Sequence, residues 1–139
     1  FGYSPVSAPE LGAKEAFLGE NRQKSPNNCY YYRFISDIPG EDAPGTFHSV
    51  DLWFFFETLA KCSRPFESRH YDLSRQMCDY WANFIKSGDP NGFDINGSKL
   101  PEWKPYTDTE RNEMLFSRDG AKTATEQSGF VKFLLSETK

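Results

Sequence analysis

Two short stretches with different hydrophobic periods lie close together in the first half of the chain. Residues 29–35, Cys-Tyr-Tyr-Tyr-Arg-Phe-Ile, form a brief aromatic run bounded by turn formers, which predicts a buried β-strand. Over residues 49–60, Leu52, Phe55, Phe56 and Leu59 return at helical spacing and share one face, which predicts a helix. The most regular pattern starts near Asp72, whose carboxylate can accept hydrogen bonds from the free amides of a first turn. Leu73, Met77, Tyr80, Trp81, Phe84 and Ile85 then line one face that reads as core, and Gly88 ends the helix.

The remaining segments are weaker. Asp89-Pro90-Asn91-Gly92 is a turn by side-chain chemistry, residues 93–100 continue as an irregular loop, and residues 114–117 suit a short strand. Trp103 and Tyr106 stand in an extended stretch interrupted by Pro101 and Pro105. They read as a packing clasp, with an aromatic platform for sugar as the alternative. Residues 9–20 suit a short helix weakened by Gly12 and Gly19, and residues 21–28 a polar connector. Residues 123–138 suit a last helix carrying Phe130, Phe133 and Leu134 on one face.

Composition removes several function classes. A net charge of −4 with no Lys/Arg cluster argues against nucleic acid, whose phosphates are held by basic surface. No stretch approaches the roughly eighteen consecutive apolar residues of a membrane span, and residues 1–20 carry no signal-peptide pattern. Cys29, Cys62 and Cys78 are odd in number and lack paired spacing, so they read as small buried hydrophobes. An odd count leans toward a reducing, cytoplasmic setting, and two histidines without paired spacing argue against a metal site. No cofactor is expected. Aromatic residues make up 17% of the chain, including thirteen Phe, more than a free-standing module of 139 residues needs. Those rings read as shaped to pack against further sheet.

Candidate chemistry centres on His48, placed between the predicted strand and the predicted helix, where α/β sheets present catalytic groups. Pro39-Gly40 and Pro44-Gly45 would hold its loop in defined turns. Imidazole ionises near neutrality and can take and return a proton within one catalytic cycle. Asp51 falls in the first helical turn, where it suits a supporting carboxylate better than a proton acceptor. The alternative is a loop histidine that only hydrogen-bonds its surroundings. His70, in the polar stretch 63–71, reads as a solvated loop residue.

Tyr30-Tyr31-Tyr32-Arg33-Phe34, Gly45-Thr46-Phe47-His48-Ser49-Val50-Asp51-Leu52, Met77-Cys78-Asp79-Tyr80-Trp81-Ala82-Asn83-Phe84, Gly88-Asp89-Pro90-Asn91-Gly92 and Leu100-Pro101-Glu102-Trp103-Lys104-Pro105-Tyr106 follow one another in the chain. Together they resemble the C-terminal part of the type-B carboxylesterases, the α/β-hydrolase family of the para-nitrobenzyl esterases and cholinesterases. The resemblance runs from about residue 8 to about residue 117. It implies that His48 is the histidine of a Ser-(Glu or Asp)-His triad, that Asp51 is the acidic position after it, and that Phe47, Ser49 and Val50 flank the substrate. It implies a small-molecule carboxylic ester as substrate. No Gly-x-Ser-x-Gly elbow and no His-Gly-Gly-Gly loop occurs in these residues, so the serine, the acid and the oxyanion donors are expected upstream of Phe1.

The expected fold is therefore α/β, the C-terminal portion of a single α/β-hydrolase domain over residues 1–139, mostly helical with one or two strands. A piece of this kind is expected to be inactive alone and to self-associate through exposed strand edges and apolar surface. Two other readings stand beside it. One is a cholinesterase-like adhesion domain in which His48 is structural, and the other is a complete small module that shares these motifs.

Overall fold

The aromatic run before His48 forms a strand, although a shorter one than its composition suggests. The computed structural model describes residues 27–107 and 109–125. Within it β1 spans Tyr32–Phe34, α1 Asp51–Phe55, α2 Ser68–Ser87, β2 Glu113–Ser117 and β3 Gly120–Ala124, with a 3-10 turn at Leu59–Lys61. The strands form one sheet in the order β1-β2-β3. β1 runs parallel to β2, with Tyr32 opposite Met114 and Phe34 opposite Phe116, and β2 pairs antiparallel with β3. A parallel pair needs a long crossover, which α1 and α2 provide. Hydrogen bonds from Met114 N–H to Tyr31 O and from Ile35 N–H to Phe116 O extend the β1 pairing at both ends, and Cys29 bridges to Tyr106.

Three strands among the described residues exceed the one or two expected. The additional one is β3, which takes in Thr123 and Ala124 from the stretch assigned to a last helix. Its partner is supplied by β2 across the Arg118-Asp119 turn, and Gly120 allows the φ of 99° at that corner. Residues 126–138 of that stretch, the expected helix at 9–20 and nearly all of the 21–28 connector lie outside the described residues.

The helix expected over 49–60 ends at Phe55. Glu57 turns left-handed at φ 48°, so helical period does not continue to Leu59. The buried face consequently differs from the expected one: Phe54, Phe55 and Leu59 are buried, whereas Leu52 and Phe56 are exposed. The long helix α2 starts one turn before Asp72, because His70 Nδ1 accepts the Glu67 N–H at 2.9 Å and satisfies a free amide there. Asp72 is an exposed residue of the second turn. Gly88 ends α2 as expected, left-handed at φ 75° with its N–H on Phe84 O.

Leu73, Met77 and Tyr80 point into the core, but the apolar face does not stay buried to the helix end. Trp81 and Phe84 keep about two-fifths of their surface, resting on Phe55 and Tyr30, and Ile85 is largely exposed.

Trp103 occupies the centre of the core. It is buried, its ring meets Tyr32, Tyr80 and Phe116 edge-on at centroid separations of 5.5–6.1 Å, and its indole N–H donates to Tyr31 O. Asn91 clamps its backbone from both sides, accepting the Trp103 N–H at 2.7 Å and donating to its carbonyl at 2.9 Å. This is the packing clasp, and it leaves no open ring face for a sugar. Asp89 in turn accepts from the Asn91 amide, which accounts for the Asp-Pro-Asn-Gly turn. The three cysteines are free and half-buried, and burial pushes the Cys78 thiol up.

Candidate functional site

β1 runs into loop 36–47, which closes in a tight turn with Val50 N–H on Phe47 O at 3.2 Å and hands the chain to α1. His48 lies in that turn, beyond the C-terminal end of a parallel strand. Its imidazole is exposed and makes no hydrogen bond to the described residues. The residues around it are anchored. Val50 is buried at 1%, and the half-buried Phe47 sets its ring edge-on to Trp53 at 5.6 Å. Ser49 is exposed and left-handed at φ 66°, a conformation sparsely populated by residues with a side chain. Of the three residues expected to flank a substrate, Val50 is committed to the core; Phe47 and Ser49 have surface to offer.

Asp51 sits in the first turn of α1, but its carboxylate accepts the Tyr32 hydroxyl at 2.7 Å. It ties the start of α1 to β1 and makes no hydrogen bond to His48. Burial, together with this carboxylate, pushes the Tyr32 hydroxyl pKa up, so it stays a proton donor.

Loop 36–47 is strapped down by two arginines, Arg64 from the segment between α1 and α2 and Arg69 from the first turn of α2. Arg64 pairs bidentately with Asp42 at 2.9 Å through each nitrogen and donates to Pro39 O at 3.0 Å. Arg69 pairs bidentately with Asp37 at 2.6 and 2.8 Å and also holds Glu67. Thr46 Oγ1 donates to Ser36 O, joining the two ends of the loop. The guanidinium beside each carboxylate holds Asp37 and Asp42 below the usual carboxylate range. Sequence reasoning took residues 63–71 as a charged loop and missed both straps.

His70 is not the solvated loop residue expected. It lies in the first turn of α2, 1% exposed, with its ring against Phe54 and Phe66. Because Nδ1 accepts a backbone N–H, the neutral ring carries its proton on Nε2, which is buried 3.8 Å from Asp37 Oδ2 with no hydrogen-bond partner among the described residues. Burial and then the adjacent Arg69 lower its pKa, while Asp37 and Glu67 oppose them. An unfolded histidine takes up its proton near pH 6.5, and this one does so at lower pH when folded. Stability should therefore be lost as pH falls through 6.5 toward the folded value. Thermal unfolding between pH 7 and pH 5 should show a decline that is smaller in a His70→Gln variant; equal declines in both would refute the assignment.

The two histidines thus have opposite settings, and only His48 offers an open imidazole. A cleft of about 420 Å³ lies elsewhere, between α2, the β2–β3 turn and the 94–100 loop. Its lining includes Arg75, Arg118, Asp79 and Asp94 but none of residues 47–51, and such a charged wall does not suit an acyl chain. Among the described residues no group of three or more His, Cys, Asp or Glu stands together as a metal site. No described helix is long and apolar enough to cross a membrane.

Comparison with known proteins bears on the same residues. A family model described as the carboxylesterase family matches residues 13–133. Acetylcholinesterase of Electrophorus electricus is 27% identical over 84% of this chain and 19% of its own length. Carboxylesterase 4A of Bos taurus is 33% identical over 76% of this chain and 19% of its own. Among solved structures, an esterase from Clostridium hathewayi superposes with a TM-score of 0.65 at 22% identity, over 81% of this chain and 21% of that one. A PNB esterase gives 0.61 at 19% identity, over 76% and 21%. The chain spans about a fifth of the length of these relatives, and the structural likeness places its fold among the α/β-hydrolase esterases.

Proposed function

The chain belongs to the carboxylesterase family, and we propose that it is the C-terminal part of one α/β-hydrolase domain that hydrolyses small-molecule carboxylic esters, with His48 as its catalytic base. The observation that carries this reading is the open imidazole of His48 on an anchored turn beyond β1. His48 takes the proton of a serine hydroxyl as the oxygen attacks the ester carbonyl, then passes it to the departing alcohol. Water repeats the cycle and releases the acid. The serine, the acid that orients the imidazole and the oxyanion donors come from polypeptide outside these residues. Phe47 and Ser49 border the reacting groups. Asp51 supports the turn through Tyr32 and takes no part in proton transfer.

A base without a nucleophile or oxyanion hole cannot run acyl transfer, so the purified 139-residue chain should release no nitrophenol from para-nitrophenyl esters. It should also run above monomer mass in light scattering, because Phe56, Ile85, Phe93 and Ile95 are largely exposed and one edge of β1 is unpaired among the described residues. Turnover by the pure chain, or a clean monomer, would count against the corresponding half of this prediction. Reading the coding sequence upstream of Phe1 tests the whole proposal. A Gly-x-Ser-x-Gly after a strand pattern supports it, and a non-serine residue at that elbow would favour an adhesion domain instead.

A further inference from the structure

We propose that Arg64 is a positioning residue for His48, a role that rests on the reading of His48 as the base. The guanidinium lies across the turn at residues 39–42 and makes three hydrogen bonds to it, two to the Asp42 carboxylate and one to Pro39 O. The turn is shaped to receive it. Gly40 adopts φ 150°, and a Cβ there would stand 2.4 Å from Arg64 Nη1 and 2.5 Å from Asp42 Oδ1. Ala43, one residue past the pair, is held left-handed at φ 41°.

Arg64 stands two residues before Phe66, which belongs to the aromatic cluster beside the histidine turn. Phe66 sets its ring edge-on to Phe54 at 5.9 Å and to Trp53 at 6.4 Å, and Trp53 receives Phe47, the neighbour of His48. The chain therefore closes a circuit: His48 to Phe47, across Trp53 and Phe66 to Arg64, across Asp42 and Pro39, and back along the loop to His48. The loop is gripped at its apex as well as at its two ends.

Magnitudes separate this role from a structural one. The Asp42 side chain keeps 58% of its exposure, and exposed ion pairs add little to global stability. Loss of the pair should leave the fold intact while freeing the loop. A displacement of an ångström at a catalytic group, by contrast, can cost about a hundredfold in rate.

The test uses the complete esterase with Arg64→Gln, Arg64→Lys and Gly40→Ala. The alanine removes no charge but crowds the guanidinium and the Asp42 carboxylate alike and strains the backbone at φ 150°, so the pair must give way. In Arg64→Gln and Gly40→Ala we expect kcat to fall about tenfold with KM within about twofold, Tm within a few degrees, and amide exchange of residues 37–48 about tenfold faster. Arg64→Lys should recover only part of kcat, because an ammonium cannot bind Asp42 through two parallel hydrogen bonds. Wild-type kcat in either Arg64→Gln or Gly40→Ala would overturn the proposal, as would a loss of kcat that merely tracks the fraction unfolded. If His48→Ala were to keep activity, the base assignment itself would fail, and Arg64 would lose its positioning role with it, whatever the exchange rates.

Discussion

Replacing His48 by Ala in the complete esterase is expected to lower kcat for a simple ester by about a thousandfold or more while leaving the fold intact. The size follows from how triads work: the serine loses its only base, and what remains is binding and the oxyanion hole, which alone give a small residue of the full rate. The intact fold follows from the setting of the ring, which is exposed and makes no hydrogen bond to the described residues, so its removal opens no cavity. Steady-state kinetics and thermal unfolding on the same preparation check both halves. Undiminished hydrolysis would contradict the base assignment, and a collapse of Tm alongside kcat would make the histidine structural.

The second large effect belongs to Trp103. Trp103→Ala should cost about 3–5 kcal/mol, the range for removing a large buried aromatic side chain. The loss falls at the meeting point of Tyr32, Tyr80 and Phe116, and it strips Tyr31 O of its indole donor. Native domains are stable by only about 5–15 kcal/mol, so a loss of this size should move the denaturant midpoint far below wild type. A midpoint close to wild type would contradict the central place of this ring. Since β1 packs on Trp103 and leads into the His48 loop, the same variant should also lose activity, in this case by unfolding.

What could be read from the sequence and what could not divide along physical lines. The heart of β1, the helix through Leu73, Met77 and Tyr80 with its Gly88 stop, the strand at 114–117, the Asp89 turn and the Trp103 clasp all depend on local pattern: period, turn chemistry, or a proline-framed aromatic. Each is visible within a window of a few residues. The early end of α1 was hidden, because the aromatic run keeps its apolar character past Phe55 and only the backbone at Glu57 breaks the helix. The first turn of α2 was hidden because it is started by a histidine accepting a backbone amide, an uncommon partner in a capping box. β3 was hidden because Gly120–Ala124 has little apolar content and is a strand through its pairing with β2.

The site shows the same division. The loop around His48 was legible from its Pro-Gly framing, and the structure shows the imidazole open upon it. Its support was not. Asp42 and Arg64 are 22 residues apart and Asp37 and Arg69 are 32 apart, so no local spacing announces either pair. His70 misled for a related reason: its sequence neighbours are polar, while the ring turns inward between Phe54 and Phe66. Asp51 fell in the expected first turn, but its partner, Tyr32, stands 19 residues back on the strand.

The most direct test of His48 as proton carrier is the pre-steady-state burst with a para-nitrophenyl ester, which isolates the step in which the serine is first acylated. The account predicts a rapid burst of about one nitrophenol per wild-type esterase molecule and, in the folded His48→Ala variant, acylation about a thousandfold slower or more. A burst of unchanged rate in that variant would show that the serine finds its base elsewhere and would contradict the account.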